Sequence, residues 1–284
     1  MSIVFFSPCL PGECPEGVRA GVAGASSLAS SVRFRDISPA SGRGKLFVML
    51  VAAVLSLVCN SAHATSPFAK WAAIVVSGDW HAHDGSPSEI FDNARRDVSH
   101  DLETLGFSAN NIKEFSARPG TWPPATAAGI RDALANLSWR ATSGCLVYFS
   151  SHGSPDGIVL GNSILEPYTL ARMLNASCGD RPTVVVLSAC FSGVFVPTLR
   201  AHNRMILTAA RRDRTSFGCG QTDRYPYFDQ CVLSVWPYAN SFAALGRAAQ
   251  ICVALRERRE HVGPPSQPQL WIGADAANAI PNWR

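Results

Sequence analysis

Two residues in this chain stand where side chains could do nucleophilic chemistry. Thr183–Gly193 reads TVVVLSACFSG, an apolar run that ends in small residues around Cys190. Cys145–Ser151 reads CLVYFSS and ends in His152-Gly153. Short continuous apolar runs of this kind suit strands buried on both faces of a parallel sheet. The small residues after each run let the backbone turn at the carboxyl end of the strand, where open α/β sheets place their ligands. Singly, each residue has a plainer role: a buried cysteine is ordinarily a small hydrophobe, and a histidine before glycine ordinarily sits in a turn. Their matching positions on consecutive strands argue for chemistry. A thiol is mostly protonated at neutral pH, with an ordinary pKa of about 8.5. A neighbouring imidazole can take that proton and later return it to a leaving group. The tetrahedral intermediate needs donors for its oxyanion, and the backbone N–H groups of Gly153 and Cys190 are the candidates. The implied reaction is acyl transfer.

Other chemistries fail on spacing. A cysteine phosphatase loop needs arginine six residues after the nucleophile, and Val196 stands there. The chain has no C-x-x-C, no G-x-S-x-G and no glycine-rich nucleotide loop. His81-Ala82-His83-Asp84, with Asp79 and His100, lacks the cysteine pair or the helical H-E-x-x-H of a zinc site and reads as a solvated loop. No metal and no organic cofactor is expected.

The elements that must carry these residues alternate. Trp71–Ser77 reads as a first strand. Phe91–Leu105 has a helical apolar stripe, ended by Gly106. A short strand over Asn111–Ser116 and a helix over Ala125–Trp139 precede Cys145–Ser151. Asp156-Gly157 marks a turn that opens a hairpin between Ile158–Leu160 and Ile164–Leu165. A short helix follows at Tyr168–Asn175, then strands at Thr183–Ser188 and Arg204–Ala209. Ser216–Pro237 reads as a binding loop plus a helix, Ser241–Arg259 as a long helix and Gln269–Ile272 as a last strand. Such alternation predicts an α/β fold, a mostly parallel sheet with helices on both faces.

The chain has 284 residues, and its organisation changes along its length. Residues 1–44 are rich in Gly, Ser, Pro and Ala without periodicity and read as a disordered leader or an over-long start. Residues 45–64 have a signal peptide's order: Arg43-Gly44-Lys45 leads into the apolar run Leu46–Cys59 and then an A-x-A site ending at Ala64. An exported protein, periplasmic or secreted, is expected, with anchoring by an uncleaved 46–59 segment as the alternative. Residues 65–284 would form the mature domain. They carry twenty basic and eighteen acidic side chains, a formal charge of +2 that argues against a nucleic-acid partner. No membrane span is expected in the mature part. Six cysteines remain there, and export permits disulfides. If Cys190 is free, at least one more is unpaired. Cys145 with Cys178, and Cys219 with Cys231, are the pairings that local position suggests, although sequence does not determine connectivity.

Ser151-His152-Gly153-Ser154 with Gly157, and Ser188-Ala189-Cys190-Phe191-Ser192-Gly193, together resemble the His-Gly and Ala-Cys blocks of the legumain-like cysteine peptidases. These are the C13 family of the caspase-like clan, and the resemblance is to its bacterial-type members. Thr208-Ala209-Ala210 through Arg214-Thr215-Ser216-Phe217-Gly218-Cys219 resembles that family's next strand and substrate loop. The resemblance covers most of 70–275 and implies a caspase-like three-layer α/β/α sandwich. It implies a cysteine endopeptidase with His152 as general base and acid, Cys190 as nucleophile, Gly153 N–H in the oxyanion hole, and Thr215 and Ser216 lining the substrate. A peptide or protein is the implied partner. Legumains carry an acidic residue two positions before the cysteine, in the pocket that reads asparagine, and Ser188 stands there in this chain. Asp223, and Arg95 or Arg96, are the residues nearest to the other charged positions of that pocket. Two alternatives keep the same fold: a transpeptidase or transamidase, which resolves the acyl-enzyme with an amine, and a non-catalytic binding module.

Overall fold

The computed structural model describes residues 65–283. The leader at 1–44 and the signal segment at 45–64 lie outside the described residues. The central sheet has six strands in the order β2 (Ile112–Ser116), β1 (Trp71–Ser77), β3 (Gly144–Ser150), β7 (Thr183–Ser188), β8 (Arg204–Thr208), β9 (Gln269–Ile272). All pairs are parallel except β8 with β9. Every residue of β1, β3 and β7 is buried, which is why these strands are apolar without alternation. Between β3 and β7 lies an antiparallel ribbon, β4 (Gly153–Ser154), β5 (Gly157–Leu160) and β6 (Ser163–Leu165), the hairpin expected from Asp156-Gly157.

Helices cover both faces. One face packs α2 (Ala127–Arg140), α3 (Pro167–Cys178) and α4 (Val196–Leu199) on Ile74, Val147, Phe149, Val185 and Leu187. The other packs α1 (Ile90–Leu105), α5 (Tyr227–Val235) and α6 (Phe242–Arg259) on Val75, Leu146, Tyr148, Val184 and Val186. The alternation Tyr148/Phe149 and Val186/Leu187 between the two cores is the period of two of a strand. The fold class is the one expected: a three-layer α/β/α sandwich with a mostly parallel sheet. A short α7 (Ala276–Ala279) follows β9. Among the described residues, no helix is long and apolar enough to cross a membrane.

Local chemistry sets the helix ends. Thr126 Oγ1 accepts the Gly129 N–H at 3.1 Å and Ser241 Oγ accepts that of Ala244 at 3.2 Å, N-caps worth about 1 kcal/mol each. Gly106, at φ +101°, ends α1 in the left-handed conformation that glycine adopts without steric cost.

The disulfides differ from expectation in one pair. Cys145 is joined to Cys178, but Cys231 pairs with Cys252 rather than Cys219. The reason is packing: α5 and α6 lie side by side on one face, which brings Cys231 to Cys252. Cys219 sits in the loop before α5 and stays free.

Candidate active site

The register of β3 on β7 brings the two candidate residues together. Ser150 is paired with Ser188. Each chain continues for two residues, and the Ser151 N–H still donates to the Ser188 carbonyl at 3.0 Å. His152 and Cys190 therefore occupy equivalent positions at the ends of neighbouring parallel strands, which run about 4.8 Å apart. Gly153 lies directly against the Cys190 backbone. A Cβ there would sit 2.1 Å from the Cys190 carbonyl oxygen, so only glycine fits.

The turn at Cys190 is tightly fastened. Phe191 adopts φ +57°, a left-handed conformation uncommon outside glycine. Its N–H donates to the Arg214 carbonyl at 2.8 Å, and that of Gly193 to the Ala210 carbonyl at 2.9 Å. The Ala210 N–H donates to Ser192 Oγ at 3.2 Å. The same neighbouring segment reaches the sulfur itself: the Ser216 N–H donates to Cys190 Sγ at 3.2 Å, and the Ser216 carbonyl lies 3.6 Å from Sγ. Burial pushes the Cys190 thiol up from its ordinary pKa, partly offset by the backbone N–H groups of Ser216 and of Cys190 itself. The net effect favours the neutral thiol over the thiolate.

His152 supplies an imidazole in a defined orientation. Its Nε2–H donates to the His81 carbonyl at 3.1 Å. A carbonyl only accepts, so Nε2 carries the proton and Nδ1 is the nitrogen free to take another. Phe91, on α1, meets the ring edge-on at a centroid distance of 5.0 Å. The loop that provides the carbonyl is braced by Asp79, whose Oδ1 accepts the N–H groups of Trp80 at 2.6 Å and His81 at 3.1 Å and contacts His81 Nδ1 at 2.7 Å. Asp79, His81, Ala82, His83, Gly85 and His152 line an open cleft of about 460 Å³. Among the described residues, no group of three His, Cys, Asp or Glu side chains could hold a metal ion.

The β4–β5 ladder leaves one backbone donor unused. The Val159 N–H donates to the His152 carbonyl at 3.0 Å, which makes Gly153 and Ile158 a pair of the non-hydrogen-bonded type. The ladder therefore makes no use of the Gly153 N–H.

Residues 137–241, which include His152 and Cys190, match the family model of the Peptidase C13 family. The fold as a whole is similar to the crystal structure of Caspase-1 from Spodoptera frugiperda, with a TM-score of 0.55 and 16% identity over 73% of this chain and 88% of that one. Identity that low speaks for the fold alone. No match is found among curated proteins.

The structure distributes the expected pocket residues unevenly. Ser216 touches the Cys190 sulfur, and Thr215 beside it is exposed. Ser188 is 2% exposed, and its hydroxyl donates inward to Asp229 at 2.8 Å. Asp223 accepts the Gly220 N–H at 2.8 Å within its own loop. Arg95 is paired with Asp92 and Glu114, both at 3.0 Å, and Arg96 with Glu89 at 3.0 Å. His83 draws the 216–226 loop onto the cleft: its N–H donates to the Cys219 carbonyl at 2.9 Å and its Nδ1 lies 3.1 Å from the same oxygen.

Asp229 was not among the expected residues. It is wholly buried at the start of α5 and accepts hydroxyls from Tyr148 at 2.5 Å, Ser150 at 2.6 Å and Ser188 at 2.8 Å. Burial raises its pKa to about 6, against the pull of the three hydroxyls toward the charged form. A signal for it exists in the sequence. It lies in the apolar stripe Phe228, Cys231, Val232, where an acid is costly unless it has donors.

Proposed function

We propose that the chain is a cysteine endopeptidase whose nucleophile is Cys190 and whose general base and acid is His152. One observation carries this reading: the thiol and the imidazole stand at the same register on adjacent strand ends, with the Nε2 proton spent on the His81 carbonyl and Nδ1 left available. A peptide carbonyl seated between them is attacked by Sγ. The thiol proton passes to Nδ1, and the carbonyl oxygen takes up negative charge opposite the Gly153 N–H. Collapse breaks the C–N bond, and His152 returns its proton to the departing amine. The resulting thioester is then opened by water, activated by the same imidazole.

Thr215 and Ser216 would line the extended substrate, with Ser216 already against the sulfur. Asp223 and Arg95 stand as secondary candidates for reading the side chain before the scissile bond, each now engaged with neighbours. Export remains part of the proposal. It is supported by two native disulfides, which form and persist in oxidising surroundings.

The test is labelling of residues 65–284 by peptidyl electrophiles varied at the residue before the reactive group, read by mass spectrometry, beside turnover of the matching peptides. Modification should fall on Cys190 and depend on His152, and Cys190→Ala should lose at least about a thousandfold in kcat with little change in melting temperature. Unchanged turnover in Cys190→Ala would overturn the mechanism.

A further inference from the structure

We propose that Asp229 is a positioning residue: its carboxylate ties the end of β3 to the end of β7 and thereby holds the spacing between His152 and Cys190. The inference rests on the dyad read above. Side chains on one strand face the same way at every second residue. Tyr148, Ser150 and His152 thus share a face of β3 and its extension, as Ser188 and Cys190 do for β7. Asp229 Oδ2 accepts from Ser150 and from Ser188, the two residues paired across the strands, so one oxygen bridges both chains two residues before the reactive groups. Oδ1 accepts from Tyr148 on the same face.

The position of this bridge gives it its importance. Beyond the Ser151 N–H to Ser188 carbonyl bond, the strand pairing ends: one chain segment enters the β4–β5 hairpin and the other the left-handed turn at Phe191. The carboxylate stands at the last point where the two backbones are still a sheet. It is also sealed, with Asp229 at 0% and Ser188 at 2% exposure, so in this structure neither offers a surface to a substrate. A shared acceptor for two hydroxyls is what a spacing device needs, and a pocket wall would need the opposite.

The test is the double variant Ser150→Ala/Ser188→Ala, with Ser188→Thr as the conservative control. Three quantities are read: kcat and KM on a peptide substrate, the rate of Cys190 alkylation by iodoacetamide, and the melting temperature. The double variant should lose about tenfold or more in kcat, as displaced catalytic groups do, with KM within about twofold. Its alkylation rate should fall to that of His152→Ala, and Ser188→Thr should keep wild-type kcat. A double variant with wild-type kcat and alkylation would overturn the proposal. So would a change confined to KM, which would make these groups substrate contacts. If the double variant melts below the assay temperature, Ser188→Ala alone carries the same comparison. Failure of the dyad reading itself looks different: wild-type alkylation would then be indifferent to His152→Ala, and both proposals would fall.

Discussion

The two halves of the candidate site are held in contrasting ways. Cys190 sits in a turn fastened to the 210–216 segment by Phe191, Gly193 and Ser192, with the Ser216 backbone on its sulfur. His152 is oriented by one carbonyl from a loop that is partly exposed, braced by its own Asp79 and tied through His83 to the 216–226 loop. The thiol is built into the frame, whereas the imidazole leans on a loop. Placement of the thiol should therefore survive most surface changes, and alignment of the imidazole should respond to anything that loosens residues 78–88.

The largest break in this contrast should come where the halves touch. Gly153→Ala would drive a methyl group into the Cys190 carbonyl. It should cost about a hundredfold or more in kcat/KM, because it displaces the proposed oxyanion donor together with the turn at Cys190. Steady-state kinetics checks this, and activity near wild type would show that the halves can move apart freely. A smaller effect is expected from Asp79→Ala, which removes the brace behind His81. It should lower kcat by about tenfold, leave Cys190 accessible to alkylation, and speed amide exchange over 78–88 while 189–193 stays protected. Equal exchange in both segments would erase the distinction. The mildest effect concerns the thiol itself. Burial raises its pKa, so in His152→Ala the rate of iodoacetamide alkylation at Cys190 should keep climbing with pH past the ordinary thiol value of about 8.5. A plateau below that pH would mean that the surroundings favour the thiolate.

Much of this frame was legible in the residues. Runs such as TVVVLS and CLVYFS have few alternatives to strands buried on both faces, and the turn residues after them placed His152 and Cys190 at one sheet edge. What stayed hidden depended on which helix lies on which face. The partner of Cys231 follows from α5 lying beside α6, a fact that no spacing encodes, so the nearby Cys219 was the natural but wrong choice. Ser188 was read at the place of a pocket acid. The structure turns its hydroxyl inward, onto a carboxylate 41 residues further along the chain. The orientation of His152 was equally out of reach, since a backbone carbonyl has no signature in side-chain identity.

The two disulfides have a bearing beyond their local packing. Each lies on one side of the sheet: Cys145–Cys178 joins the start of β3 to the end of α3, and Cys231–Cys252 joins α5 to α6. They close segments of 33 and 21 residues, and chain-entropy arguments assign about 3–4 kcal/mol to loops of that size. Together that is comparable with the whole net stability of an ordinary domain, about 5–15 kcal/mol. The redox state of its surroundings therefore acts on this molecule as a folding condition. The first crosslink encloses the segment that bears His152, so this imidazole is lodged in a part of the chain whose persistence depends on an oxidant.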